Sequence, residues 1–280
     1  MNFRTILVHL DRSDRSAARS ALAAQWAKAH EGHLVGLVPT GLYDGVIPID
    51  AIATGMTDYI ADAASHLRLR AEAISREFRE GIHASGYLSY EVRLVDGATV
   101  DAVVRHGRAS DLVVLGQDDE SDAMDTTVHG LVQQVLMEAG RPLLIVPCAG
   151  NFSAPAKNVV VTWDGSRESA IAIHTALPAL LGASRVTLVS YRHPGEEGDE
   201  QRLLIPEMIQ FLQRHGIQAR SEREVTEIDI ADALLSRISN LGADLLVMGG
   251  YGHSRFRERV LGGVTRQILA QMTVPVLMAH

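Results

Sequence analysis

The chain has one cysteine, Cys148, among its 280 residues, so no internal disulfide can form and no Cys-based metal motif is available. Cys148 sits beside Gly150, Ser153 and Pro155, and reads as a structural or incidental thiol. Aromatic residues make up 5%, too few to supply the stacking platforms that single-stranded nucleic acid needs. Lys and Arg number 26 against 34 Asp and Glu, a formal net charge of −8, which argues against a broad nucleic-acid surface. No run approaches the ~18 apolar residues of a membrane span, and no apolar leader precedes the first apolar stretch. The expectation is a soluble cytoplasmic protein with neither membrane nor nucleic acid as partner. The Gly-Lys-Ser/Thr ending of a P-loop is also missing, and no catalytic residue is assigned.

What the chain does have is a repeat. Adding 133 to Asp111, Leu112, Val114, Gly116, Gly130, Gln134, Pro142 and Leu144 gives Asp244, Leu245, Val247, Gly249, Gly263, Gln267, Pro275 and Leu277, the same residue each time. Earlier segments repeat as well: Thr5–Asp11 resembles Val159–Asp164, and Asp101–Val104 resembles Asp232–Leu235. A hydrophobic content of 46% suffices for two cores. The expected organisation is a domain over 1–147, a Gly/Ser/Pro-containing linker over 148–156 and a second domain over 157–280.

Short apolar runs alternate with helical spacing, which predicts α/β domains, each a five-stranded parallel sheet with helices on both faces. Strands are expected near 4–10, 33–38, 88–95, 111–116 and 142–146, then near 158–163, 185–191, 217–225, 244–248 and 274–279. Helices over Ser13–Glu31 and Ser166–Leu181 begin on serines suited to N-capping and are followed by Gly32 and Gly182. The arrangement is doubly wound, with strand order 3-2-1-4-5. In such sheets a ligand lies at the carboxyl ends of the strands, where the first and fourth diverge. Asp164 and Gly249 end those two strands in the second copy.

Past Gly249 come Gly252, Gly262 and Gly263, with a helix expected to open at Val264 and Thr265. Glycines there turn backbone N–H groups toward an anion, and the helix start adds its own unpaired donors. The alternative is a tight turn with no ligand. The spacing Gly-x2-Gly-x9-Gly resembles the signature of the universal stress protein family, in which Ser or Thr follows the last glycine. Gly263 departs from it, removing one side-chain donor while keeping the N–H, with Thr265 nearby to supply a hydroxyl.

The resemblance covers nearly the whole chain and implies a tandem protein whose second domain binds ATP or another adenine nucleotide, with or without magnesium, in a regulatory or protective role. It places Asp164 beside the base or ribose, Tyr191 and Met248 around the base, and Gly249, Gly252, Gly262, Gly263, Val264 and Thr265 under ribose and phosphates. Asp164 reads equally as a helix cap, and Tyr191 and Met248 as plain core. His253, Arg255, Arg257 and Arg259 either screen phosphate or form a solvated loop. In the first copy Asp119 and His129 replace glycines amid an acidic stretch, so this copy is expected not to bind nucleotide in the same way. The apolar connection 42–53 is either a lid or a packing segment. Family dimers join through their last strands, which implies an internal pseudo-dimer of the two copies, with further homodimerisation and the identity of any protein partner open. The competing functions are a slow magnesium-dependent hydrolase or transferase in the same crevice, and a nucleotide-free interaction scaffold.

Overall fold

The computed structural model describes residues 2–42, 44, 57–87, 89–118, 130–195, 204–252 and 262–280. The first half contains strands β1 (Thr5–His9), β2 (His33–Pro39), β3 (Tyr90–Val95), β4 (Leu112–Gly116) and β5 (Leu143–Val146). They alternate with helices α1 (Ser16–Ala29), α2 (Thr57–Ala84), α3 (Thr99–Gly107) and α4 (Leu131–Glu138). The second half contains β6 (Asn158–Thr162), β7 (Arg185–Arg192), β8 (Ala219–Val225), β9 (Leu245–Gly249) and β10 (Val276–Ala279). Its helices are α5 (Arg167–Leu181), α6 (Ile205–Arg214), α7 (Ile230–Leu241) and α8 (Gly263–Gln271).

The order is β3-β2-β1-β4-β5 in the first half and β8-β7-β6-β9-β10 in the second, the 3-2-1-4-5 arrangement of a doubly wound fold. Pairing is parallel from β2 to β1 and β3, from β1 to β4, from β6 to β7 and β9, from β7 to β8, and from β9 to β10. Central strands such as β1, β4 and β9 are buried along nearly their whole length, which is why they read as unbroken apolar runs. The outer strand β8, ARSEREV, alternates exposed and half-buried positions, and its charges suit a sheet edge.

The chain forms two compact units, one spanning Asn2–Arg141 and the other containing Pro142–His280. Within the second, β5 pairs antiparallel with β10 in the register Val276 to Ile145, Leu277 to Leu144 and Met278 to Leu143. The paired edge of β10 is thereby used in a ladder.

The repeated aspartates have a physical role. Asp111 accepts hydrogen bonds from the N–H groups of Arg4 and Thr5 at 2.8 and 2.9 Å. Asp244 does the same for Lys157 at 2.8 Å and Asn158 at 2.9 Å. Each ties the start of the first strand of its copy to the start of the fourth. A difference appears at the first helix: Ser166 caps α5 as expected, whereas Ser13 does not cap α1. The Ser13 hydroxyl donates instead to Asp11 at 2.6 Å, and α1 begins after Arg15 without a side-chain cap. Among the described residues, no helix is long and apolar enough to cross a membrane.

Candidate functional site

β6 and β9 lie side by side and parallel, and the chain leaves both at the same end of the sheet. After β6, the exposed Asp164 accepts from the Ser166 N–H at 2.9 Å. Ser166 Oγ then accepts from the Ser169 N–H at 3.1 Å, closing the first turn of α5. Asp164 thus shapes the turn while Ser166 supplies the cap. Its Oδ2 has no partner among the described residues, leaving an acceptor at the mouth of the crevice.

After β9, Gly249 is required by close approach. A Cβ there would stand 2.6 Å from the backbone of Glu168 and Ser169, so only glycine lets α5 pack against this strand end. The Gly250 N–H donates to the Ala279 carbonyl at 2.9 Å. Tyr251 takes φ 53°, a strained conformation for a bulky residue. Its N–H donates to Thr265 Oγ at 3.1 Å, which fixes the loop to α8. Its ring lies over Gly262, where a Cβ would be 2.5 Å from a ring carbon. Gly262 has φ 79° and stands at the N-cap of α8.

Gly263, Val264 and Thr265 form the opening turn of α8, whose N–H groups have no acceptor inside the helix. Thr265 is buried, and its hydroxyl retains a proton to donate while accepting from Tyr251. Met248 is buried in β9. Tyr191 is half-buried at the end of β7, its hydroxyl donating to the Ala233 carbonyl at 3.4 Å. Burial first, and then the charge of Glu224, push the phenol well above its ordinary pKa, so it remains a neutral donor. His253, Arg255, Arg257 and Arg259 lie outside the described residues, as do Asp119, His129 and most of the 42–53 connection.

Glu168 was not among the expected site residues. It is 7% exposed; among the described residues it pairs with the exposed Arg167 at 3.7 Å and makes no hydrogen bond. Its Oε2 stands 3.1 Å from where a Cβ on Gly252 would be, with Ser166 Oγ 3.7 Å from the same point. A buried carboxylate therefore faces the glycine loop. In the sequence it looks like an ordinary first-turn acid favoured by the helix dipole; only the closeness of Gly249 to α5 buries it.

The corresponding place in the first unit is filled from within. Arg19 of α1 is 3% exposed, and a Cβ on Gly116, at the end of β4, would overlap its guanidinium. Arg19 Nη2 lies 2.6 Å from Asp11 Oδ2, and Nε donates to the His9 carbonyl at 3.0 Å. Burial opposes the Asp11 charge, but Arg19, His9 and hydrogen bonds from Ser13 and Arg19 hold its pKa down at about 2. Burial lowers His9 to about 4 despite the neighbouring Asp11.

A doubly wound domain with a glycine loop at its switch point defines a class of small-ligand-binding α/β proteins. Residues 155–280 match the model of the universal stress protein family. A universal stress protein of Synechocystis sp. is 24% identical over 211 residues, covering 74% of this chain and 71% of its own. The crystal structure of a universal stress protein from Archaeoglobus fulgidus superposes with a TM-score of 0.70 at 17% identity, covering 98% of this chain and 97% of that one. A universal stress protein solved in complex with cAMP covers 53% of this chain and all of its own, at 24% identity and a TM-score of 0.38. Residues 155–280 belong to the universal stress protein family, and the first half repeats their strand order, which gives the chain a tandem two-domain form.

Proposed function

We propose that the second domain binds an adenine nucleotide, ATP or a close relative, and that the protein uses this binding in a regulatory or protective role under stress. The observation that supports this reading is that Asp164 follows β6 and Gly249 ends β9 where these parallel neighbours end side by side, with Gly252, Gly262 and the first turn of α8 following Gly249 along the chain. The phosphates would meet the N–H groups of Gly263, Val264 and Thr265, and the ribose would meet Asp164. The base would lie toward Met248 and Tyr191. The buried Arg19 beside Gly116 supports assigning the nucleotide to the second domain alone. The antiparallel β5–β10 ladder supports an internal pseudo-dimer of domains 1–147 and 157–280 joined through 148–156.

The test is direct. Protein purified natively and then denatured is expected to release an adenine nucleotide. Calorimetric titration with ATP and AMP is expected to show one site per chain, lost in Gly252→Glu. Failure of the wild type to bind either nucleotide, or equal binding by the variant, overturns the proposal. A second reading, slow magnesium-dependent hydrolysis, draws on the two carboxylates Asp164 and Glu168 near one crevice. It requires turnover that depends on magnesium and disappears in Asp164→Ala.

A further inference from the structure

A groove of about 250 Å³ opens between α1 and α2 in the first domain. Its floor is Leu10, Ala24, Ile74, Phe78 and Ile82, and its mouth carries Lys28 and Glu77. The second domain shows what ordinarily occupies such a place. The turn contacts Ser13 to Asp11 and Ser166 to Asp164 put the two copies in register at an offset of 153. The burial pattern along α1 and α5 keeps that offset. At the same helical positions Ser20, Ala21, Ala24 and Lys28 of α1 become Ile173, His174, Leu177 and Leu181 of α5. Ile173 and Leu177 are buried, and the His174 ring lies 4.5 Å from that of Phe211 on α6. At two of these four positions, Ile173 and Leu177, the second domain buries hydrocarbon that the first domain lacks, while His174 and Leu181 stay exposed; apolar walls left without packing partners forfeit stability.

Gly81 makes the same point independently. It lies inside α2 and lines the groove, where glycine is a poor helix former. Among the described residues, no heavy atom comes within 4 Å of where its Cβ would be. Close packing therefore does not account for this glycine; an open mouth does.

We propose that this groove binds a small uncharged molecule, largely hydrocarbon, of roughly a dozen non-hydrogen atoms at interior packing density. The volume is too small for a helix or strand of a partner protein. Lys28 and Glu77 give the mouth one charge of each sign, and neither is paired among the described residues, so the site favours neither anions nor cations. A single hydroxyl or carbonyl on the ligand would reach one of them.

The experiment titrates the full chain calorimetrically with naphthol, naphthoate and naphthylmethylammonium, which share one ring system and differ in charge. Naphthol is expected to bind at one site per chain, at least tenfold tighter than either charged analogue, and to raise the thermal midpoint. Gly81→Leu, which improves helix propensity while filling the mouth, and Ser20→Ile with Ala24→Leu, which copies the second domain, are each expected to weaken binding at least tenfold. Circular dichroism establishes that each variant is folded, and Gly81→Leu carries the test if the double variant is not. No binding of naphthol by the wild type, unchanged affinity in folded Gly81→Leu, or a charged analogue binding as tightly as naphthol overturns the proposal.

Discussion

Glu168 is the residue expected to govern which nucleotide the second domain prefers. Its carboxylate is buried beside Gly252, and among the described residues the cation near it is the exposed Arg167. At a separation of ~5 Å and an effective dielectric of ~20, each unit of ligand charge meets about 3 kcal/mol of repulsion. A triphosphate carries more such charge than a monophosphate. Glu168→Gln is therefore expected to tighten ATP at least tenfold and AMP by a smaller factor, measured by calorimetry without magnesium. Equal effects on the two nucleotides would refute this placement of the charge. Gly263 is the second such residue. It sits in the regular first turn of α8 with helical backbone that does not require glycine, and Gly263→Ser restores the hydroxyl that the family signature carries. A hydrogen bond to a charged group contributes about 1.5–3 kcal/mol, so nucleotide affinity is expected to rise about tenfold or more. An unchanged dissociation constant counts against phosphate at this helix start. The departure at Gly263 was legible in the sequence because the signature has Ser or Thr at that position. Glu168 was not, because nothing in its own segment reveals that β9 ends in a glycine packed against it.

At the scale of elements, legibility followed the physics of each feature. Strands were found within two residues of their ends; for the central ones the reason is that burial on both faces leaves continuous apolar runs, whereas the outer β3 and β8 are only partly buried. The repeat then carried the strand order from one half to the other. Features governed by a single dihedral or a single hydroxyl were not legible: Ser13 gives its hydroxyl to Asp11 rather than to α1. The left-handed glycine before the last helix is Gly130 in one copy but Gly262 in the other, one residue out of step with the offset of 133. The loop before α8 depends on that glycine. Gly262→Ala must hold φ near 79° and displace the Tyr251 ring, and holding a non-glycine residue in that region costs about 1–3 kcal/mol. The expected result is a lower thermal midpoint together with loss of nucleotide binding. Full retention of both would show that the glycine is dispensable.

For the molecule as a whole, the two domains share a fold but are expected to differ in their response to acid. His9, Asp11 and Arg19 form a buried group in the first domain, whereas Thr162, Asp164 and Ala172 take those positions in the second. His9 titrates at about 4 in the folded chain, below its ordinary 6.5, so between these pH values the unfolded chain binds the extra proton. Stability must then rise with pH across that window and be lost as pH falls from 6.5 toward 4, by an amount on the order of 3 kcal/mol. Asp11, lowered from 3.8 to about 2, contributes stability that is intact above pH 3.8 and lost as pH falls toward 2. The two windows adjoin, so acid acts on the first domain continuously and on the second without this term. Thermal unfolding followed from pH 7 to pH 4 is expected to show the transition of the first domain falling more steeply than that of the second. In His9→Gln the group no longer titrates, and the extra slope between pH 6.5 and 4 should disappear while any loss below pH 3.8 persists. A variant with the wild-type slope would mean that the acid response originates elsewhere in the fold, and that the buried His9–Asp11–Arg19 group is a packing feature alone.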